Sequence, residues 1–329
     1  METTQNTNST TSKYVPDRQV PELSLKDFTQ GTSQQRKQFI DDLFLGMKEF
    51  GFINLRDHGI DSDLLKKAYE LSEKLFSLPL DTKKQYILKG SGGARGYTAF
   101  GQEHAKDSPV MDLKEFWHVG RDPINGDPSA QYFAPNIWPK EVPEFKELYM
   151  HLYNELDNCA FQLLKALTYS LELPENYFDK LAGGGNSILR MLHYPPIPEG
   201  VDPRCVRAAA HEDINLITLL VCASASGLQL KDRDGKWLDV ETAPHLITVD
   251  AGDMLARITN DVIPSTTHRV INPANTENKS RYSMPYFMHA HPESVLECIP
   301  SCRGEGEKYP PIREHDFLMQ RLREIGLIK

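Results

Sequence analysis

At 329 residues, 40% hydrophobic and 25% charged, with a formal net charge of −9, the chain reads as a soluble globular protein long enough for a sizeable core. The acidic balance, with no run of Lys or Arg to neutralise phosphates, argues against a nucleic-acid partner. The longest apolar run, Leu216 to Ala223, is too short to cross a membrane and holds Thr218 inside it.

Residues Met1 to Ser12 are rich in Thr, Asn, Ser and Gln and lack an apolar stretch, which predicts a disordered tail over 1–14 and no secretory leader. The cysteines (Cys159, Cys205, Cys222, Cys298 and Cys302) are odd in number and form no framework, which predicts reduced thiols in a cytoplasmic protein. Val20 to Phe28 predicts a short strand with a turn. Thr32 with Gln35 makes a capping box for a helix whose apolar positions are Phe39, Ile40, Leu43, Met47 and Phe50, and Gly51 is placed to end it. A buried strand, Phe52 to Leu55, leads into a turn at His58, and Asp61 caps a helix with Leu64, Leu65, Ala68, Leu71 and Leu75 on one stripe.

Lys89 to Gly101 is glycine-rich but lacks the Gly-Lys-Ser/Thr of a phosphate cradle. The expectation is a mobile loop from which Arg95 and Tyr97 reach a substrate, with Phe100 beside them. Glu115 to Val119 reads as a strand. The longest helical pattern runs from Glu144 to about Glu172, a short helix follows Pro174, and Ala182 to Gly185 marks a break. Strand signals then come in close succession: Ser187 to Tyr194, Leu216 to Val221, Leu228 to Leu230, Trp237 to Val240, Leu246 to Val249, Met254 to Ile258, Ser265 to Ile271 and Arg281 to Met288, with Asp234-Gly235 as a hairpin turn. Many short strands with regular turns predict a mainly β protein, an antiparallel sandwich or barrel with flanking helices. A last helix, Arg313 to Ile325, is expected to cover the barrel. The expected division is an N-terminal helical region over 15–130 and a catalytic core over 131–329, forming one structural unit.

Five polar side chains in strand-like contexts stand out. His211 and Asp213 are two apart, as are Arg281 and Ser283, and residues at i and i+2 of a strand share a face; His268 lies between the pairs in Ser-Thr-Thr-His-Arg-Val-Ile. Two imidazoles and a carboxylate on one side of a metal leave the opposite positions open, the arrangement of non-haem iron(II) oxygenases.

The motifs Gly-Tyr-Thr-Ala-Phe-Gly, Leu-His-Tyr-Pro-Pro, His-Glu-Asp, Asp-Ala-Gly-Asp-Met-Leu, Thr-His-Arg-Val and Arg-Tyr-Ser resemble the isopenicillin N synthase-like family of non-haem iron(II)/2-oxoglutarate-dependent oxygenases, from Val20 to the C-terminal helix. The resemblance implies a double-stranded β-helix, or cupin-like jelly roll. It also implies iron(II) held by His211, Asp213 and His268, and 2-oxoglutarate held through its far carboxylate by Arg281, Ser283 and Tyr194. O2 would be the oxidant, with ascorbate as a stimulant. The implied reaction is oxidative decarboxylation of 2-oxoglutarate to succinate and CO2, coupled to hydroxylation, desaturation or cyclisation at a C–H bond of a small-molecule substrate. Phe287, with Arg95, Tyr97 and Phe100, would shape the substrate end. The chain departs from many relatives at Leu192, where they carry Asn two residues before the tyrosine, while His193 on the opposite strand face is structural.

Three alternatives stand beside this reading. An isopenicillin N synthase-like oxidase would use Arg281 and Ser283 on a substrate carboxylate without 2-oxoglutarate. An ethylene- or succinate-forming enzyme would share the site. A cupin-like binding protein would hold a structural metal, a role with no need for the anion-binding pair. His289 and His291, with Glu293, form a rival metal-ligating set that reads more simply as a solvated strand end.

Overall fold

Thr32 and Gln35 form the expected reciprocal cap, each side chain taking up the other's backbone N–H, and Gly51 ends that helix in the left-handed conformation at φ 68°. In this computed structural model, residues 19–89, 93–103, 110–123, 126, 128–221, 226–272 and 277–324 are described. The expected tail, Cys222 and residues 90–92 of the glycine-rich stretch lie outside them.

The N-terminal part runs β1 (Glu22–Ser24), α1 (Leu25–Thr29), α2 (Ser33–Phe50), β2 (Phe52–Arg56), α3 (Ser62–Phe76), α4 (Leu80–Lys84), β3 (Gly96–Thr98) and β4 (Glu115–Gly120). Asp61 caps α3 by accepting from the Asp63 N–H. Then come α5 (Phe145–Ser170), α6 (Tyr177–Ala182), β5 (Ile188–Tyr194), β6 (Ala208–His211), β7 (Ile217–Val221), β8 (Leu228–Lys231), β9 (Trp237–Asp239), β10 (Ile247–Ala251), α7 (Asp253–Ile258), β11 (His268–Val270), β12 (Arg281–Met288), β13 (Val295–Leu296), β14 (Ile312–Arg313) and α8 (Glu314–Glu324).

Two sheets form the jelly roll. The larger has the order β1-β2-β10-β7-β12-β5-β4-β3 and the smaller β6-β11-β8-β9. Side-chain alternation assigns each face of the larger sheet. On β12, Met284, Tyr286 and Met288 join the main core with α2, α3 and α5, and Tyr286 Oη donates to Asp157 of α5. Arg281, Ser283, Pro285 and Phe287 face the other way and line a cavity between the two sheets. A second apolar cluster, including Phe52, Leu192, Leu228 and Val270, fills the rest of that gap.

Two expected strands are corrected. Met254 to Ile258 is helical: Met254, Leu255 and Ile258 are buried at helical spacing, so a short apolar run was open to either reading. Only Glu22–Ser24 of the segment from Val20 to Phe28 is extended, paired in parallel with β2; α1 takes over at Leu25 and buries Leu25 and Phe28.

Candidate metal centre and co-substrate pocket

His211 closes β6 and His268 opens β11, and the two are direct partners in that antiparallel pair. Asp213 lies just beyond β6 in the connection to β7. Its backbone is fixed there because its carbonyl accepts from the Asp253 N–H at 2.7 Å, so the first turn of α7 serves as a brace. His211 Nε2 is 3.8 Å and His268 Nε2 3.9 Å from Asp213 Oδ1. The three side chains each offer a ligand atom within 4.8 Å of the others.

The remaining atoms of these side chains are committed elsewhere. His211 Nδ1 donates to the Ala209 carbonyl at 2.8 Å and His268 Nδ1 to the Thr266 carbonyl at 3.1 Å. Each ring is thereby fixed in the tautomer that leaves Nε2 bare, the orientation a metal-bound histidine needs. Thr218 Oγ1 donates to Asp213 Oδ2, which leaves Oδ1 to face the imidazoles. Thr266 also donates from Oγ1 to the Phe50 carbonyl at 2.7 Å, so His268 is tied to the end of α2.

Desolvation, with His268 beside it, pushes the His211 imidazole down to about 4, so the ring is neutral at neutral pH. Burial raises the Asp213 carboxyl, but the two imidazoles and the Thr218 hydroxyl outweigh it and hold it below the usual carboxylate range. Asp250, opposite Thr218 in the β10–β7 register, is pushed well up by burial and then by the Asp213 charge, favouring the neutral acid next to the ionised one. Two bare imidazole nitrogens and one carboxylate oxygen fit iron(II) in donor type and charge.

Arg281, Ser283 and Tyr194 lie in the same cavity. Arg281 is 1% exposed, its Nη1 lies 3.5 Å from Ser283 Oγ, and its guanidinium carbon is 5.0 Å from the Tyr194 ring centre. Arg281 and Tyr194 are register partners on β12 and β5, as are Ser283 and Leu192. A cation, a hydroxyl and a phenol therefore converge at one end of the cavity, and a carboxylate fits that end.

Of the expected substrate residues, Phe287 lines the cavity and Arg95, Tyr97 and Phe100 do not. Arg95 is fully buried, with Nη2 2.7 Å from Asn186 Oδ1. It occupies a slot that exists because Gly120 has no Cβ: one built there would fall 2.1 Å from Arg95 Nη2. Tyr97 is buried and donates to Glu115 on the other side of the sheet, in a cluster completed by Lys83 and His193. His193 faces away from the cavity, as expected. His289 is buried with Nδ1 3.6 Å from Glu314 Oε1, and His291 Nδ1 accepts from the Glu293 N–H. Among the described residues only His211, Asp213 and His268 gather as three potential ligands. Sequence reading missed Thr218, Asp250, Lys114 and Arg190 at this cavity; for Thr218 and Arg190 the inward alternation of β7 and β5 was the available signal.

A family model described as the 2OG-Fe(II) oxygenase superfamily matches residues 185–290, and one described as non-haem dioxygenase in morphine synthesis N-terminal matches residues 20–141. The 2-oxoglutarate-Fe(II) type oxidoreductase hxnY of Emericella nidulans is 34% identical over 282 residues, covering 82% of this chain and 79% of that one. The chain belongs to the 2OG-Fe(II) oxygenase superfamily. This oxygenase superimposes on a 2OG-Fe(II) oxygenase family protein of Caulobacter crescentus with a TM-score of 0.84 and 40% identity, over 92% of this chain and 98% of that one. Neurospora crassa T7H in complex with alpha-KG matches with a TM-score of 0.83 and 31% identity, over 92% and 95% of the two chains. The jelly-roll fold and dependence on iron(II) and 2-oxoglutarate, expected from the motifs, hold for this oxygenase.

Proposed function

We propose that His211, Asp213 and His268 hold the iron of this oxygenase, and that Arg281, with Ser283 and Tyr194, receives the far carboxylate of 2-oxoglutarate. The observation that carries the assignment is the pair of Nδ1–H···O=C bonds, which aim both Nε2 atoms toward the free Asp213 oxygen. Iron(II), when bound, supplies oxygen activation coupled to decarboxylation of 2-oxoglutarate to succinate and CO2. The protein's own part is positional. Arg281 fixes one end of the co-substrate with a planar fork that Lys does not reproduce. Thr218 keeps one Asp213 oxygen turned toward the metal position, and the apolar walls from Phe52, Leu228 and Val270 exclude water.

The substrate of this reading is a small molecule oxidised at a C–H bond. The Neurospora crassa T7H complex with alpha-KG and thymine supports a small flat ring as its class. The two family regions act as one structural unit in a cytoplasmic protein without nucleic-acid or membrane partners; no helix among the described residues is long and apolar enough to cross a membrane. The test is anaerobic titration of the purified protein with iron(II) and 2-oxoglutarate, watching the weak visible charge-transfer band of the chelate. The band should form in wild type and fail to form in His211→Ala; a band of equal strength in that variant defeats the assignment.

A further inference from the structure

Arg190 lines the cavity beside Lys114, and neither the metal position nor the co-substrate end accounts for it. It projects from β5 on the same face as Leu192 and Tyr194. It stands four residues from the Tyr194–Arg281 pair, about 13 Å along an extended strand. Its guanidinium carbon lies against the ring of Phe287, the register partner of Thr218, whose hydroxyl donates to Asp213, which puts it on the metal side of the cavity. On the neighbouring strand β12, Phe287 lines the cavity at the same end, in register with Ile188 of β5 and Thr218 of β7.

The guanidinium is held rigidly. Its carbon lies 4.2 Å from the Phe116 ring centre and 5.2 Å from that of Phe287. Nε donates to His118 Nε2 at 2.5 Å, and the His118 ring accepts there because its Nδ1 donates to the Gly93 carbonyl at 2.6 Å. Nη1 reaches Glu103 Oε1 at 3.3 Å. Glu103 also pairs with Lys114 at 3.4 Å, and Lys114 with Asp112 at 2.9 Å. Asp112 accepts from the Ala209 N–H on β6, so the network is built into the strand that carries His211. Nη2 meets no acceptor among the described residues. A planar cation fixed by two bonds and two rings loses little freedom when its remaining edge binds an oxygen, so that edge is preorganised for recognition.

Resting on the oxygenase reading above, we infer that Arg190 is the substrate anchor: it binds an sp2 acceptor oxygen, a carboxylate or a ring carbonyl, of a flat ring lying against Phe287. The acceptor oxygen at Arg190 and the C–H bond facing the metal then set which position of the ring is oxidised.

The experiment is calorimetric titration under anaerobic conditions of protein loaded with iron(II) and 2-oxoglutarate, so that binding and not turnover is read. Three probes of similar size are used: benzoate, 2-pyridone and toluene. At least one oxygen-bearing probe should bind tenfold or more tightly than toluene. That advantage should vanish in Arg190→Met and persist in part in Arg190→Lys, which keeps the charge opposite Glu103 and so guards against a folding defect. Which oxygen probe binds better tells an anionic acceptor from a neutral one. Equal affinity for all three probes, no binding of either oxygen-bearing probe, or an advantage that survives Arg190→Met overturns the inference. Titration of 2-oxoglutarate into the same proteins loaded with iron(II) alone separates the two readings. Intact co-substrate binding with probes indifferent to Arg190 defeats this inference alone, whereas wild type that takes up no 2-oxoglutarate defeats the site assignment beneath it.

Discussion

His211 and His268 face one another as register partners across β6 and β11, with ring centres 4.4 Å apart, and each anchors its Nδ1 proton on the carbonyl two residues before it. The metal position is therefore defined by backbone as much as by side chains. Replacing His211, Asp213 or His268 by Ala should remove most iron binding, measured by metal content after dialysis against iron(II). His289→Ala should retain it, because His289 packs against Glu314 away from the triad.

Loss of Arg281 leaves a carboxylate unpaired in a desolvated pocket, at a cost of about 2–5 kcal/mol, on the order of a 30- to several-thousand-fold weakening of 2-oxoglutarate binding. Arg281→Lys should lose less and Ser283→Ala less than Arg281→Ala, near the worth of one hydrogen bond to a charged group, about 1.5–3 kcal/mol. Iron affinity should stay close to wild type in all three. Parallel titrations of iron(II) and 2-oxoglutarate on each variant check this.

Thr218→Val keeps the volume and removes the hydroxyl that turns Asp213. Removing such a supporting partner typically costs about 10–100-fold in metal affinity. Competition with a chelator measures it, and an unchanged affinity means that the α7 brace alone holds Asp213.

Acid should weaken the metal-free protein in a defined window. The folded His211 titrates at about 4 against an ordinary 6.5, so below pH 6.5 the unfolded chain takes up the proton first. Stability then falls with pH until the folded ring is itself protonated near 4. Urea unfolding of metal-free protein between pH 7 and 4 should show this decline, and His211→Gln should show a shallower one.

Protein supplied with iron(II), 2-oxoglutarate, ascorbate and O2 but no substrate should release succinate slowly. Its absence in iron-loaded protein favours an oxidase that does not use 2-oxoglutarate.

The triad was legible because its two-residue spacing and β-branched surroundings survive translation into three dimensions, even though Asp213 proved to lie past the end of its strand. Caps were legible for the same reason: Thr32 with Gln35, Gly51 and Asp61 act within a few residues of themselves. The cluster of Glu103, Lys114 and Arg190 was not, since its members are up to 87 positions apart and their charges look like ordinary surface residues until the strands pair. Arg95 was misread because a glycine-rich neighbourhood suggests solvent, whereas the glycine that matters is Gly120, which opens a slot for its head group. Met254 to Ile258 was ambiguous in principle, five apolar-rich residues being compatible with either period.

The alternation along β12 carries a cost for any lineage that alters this protein. Arg281, Ser283 and Phe287 point into the cavity while Met284, Tyr286 and Met288 hold the helical layer, so a single inserted or deleted residue within the strand would turn the Arg281 guanidinium toward α5 and a core methionine toward the His-Asp-His cluster. Changes of length are thus confined to the connections between strands. New substrates are reached by exchanging side chains at inward positions, one at a time, on a ruler whose spacing is fixed.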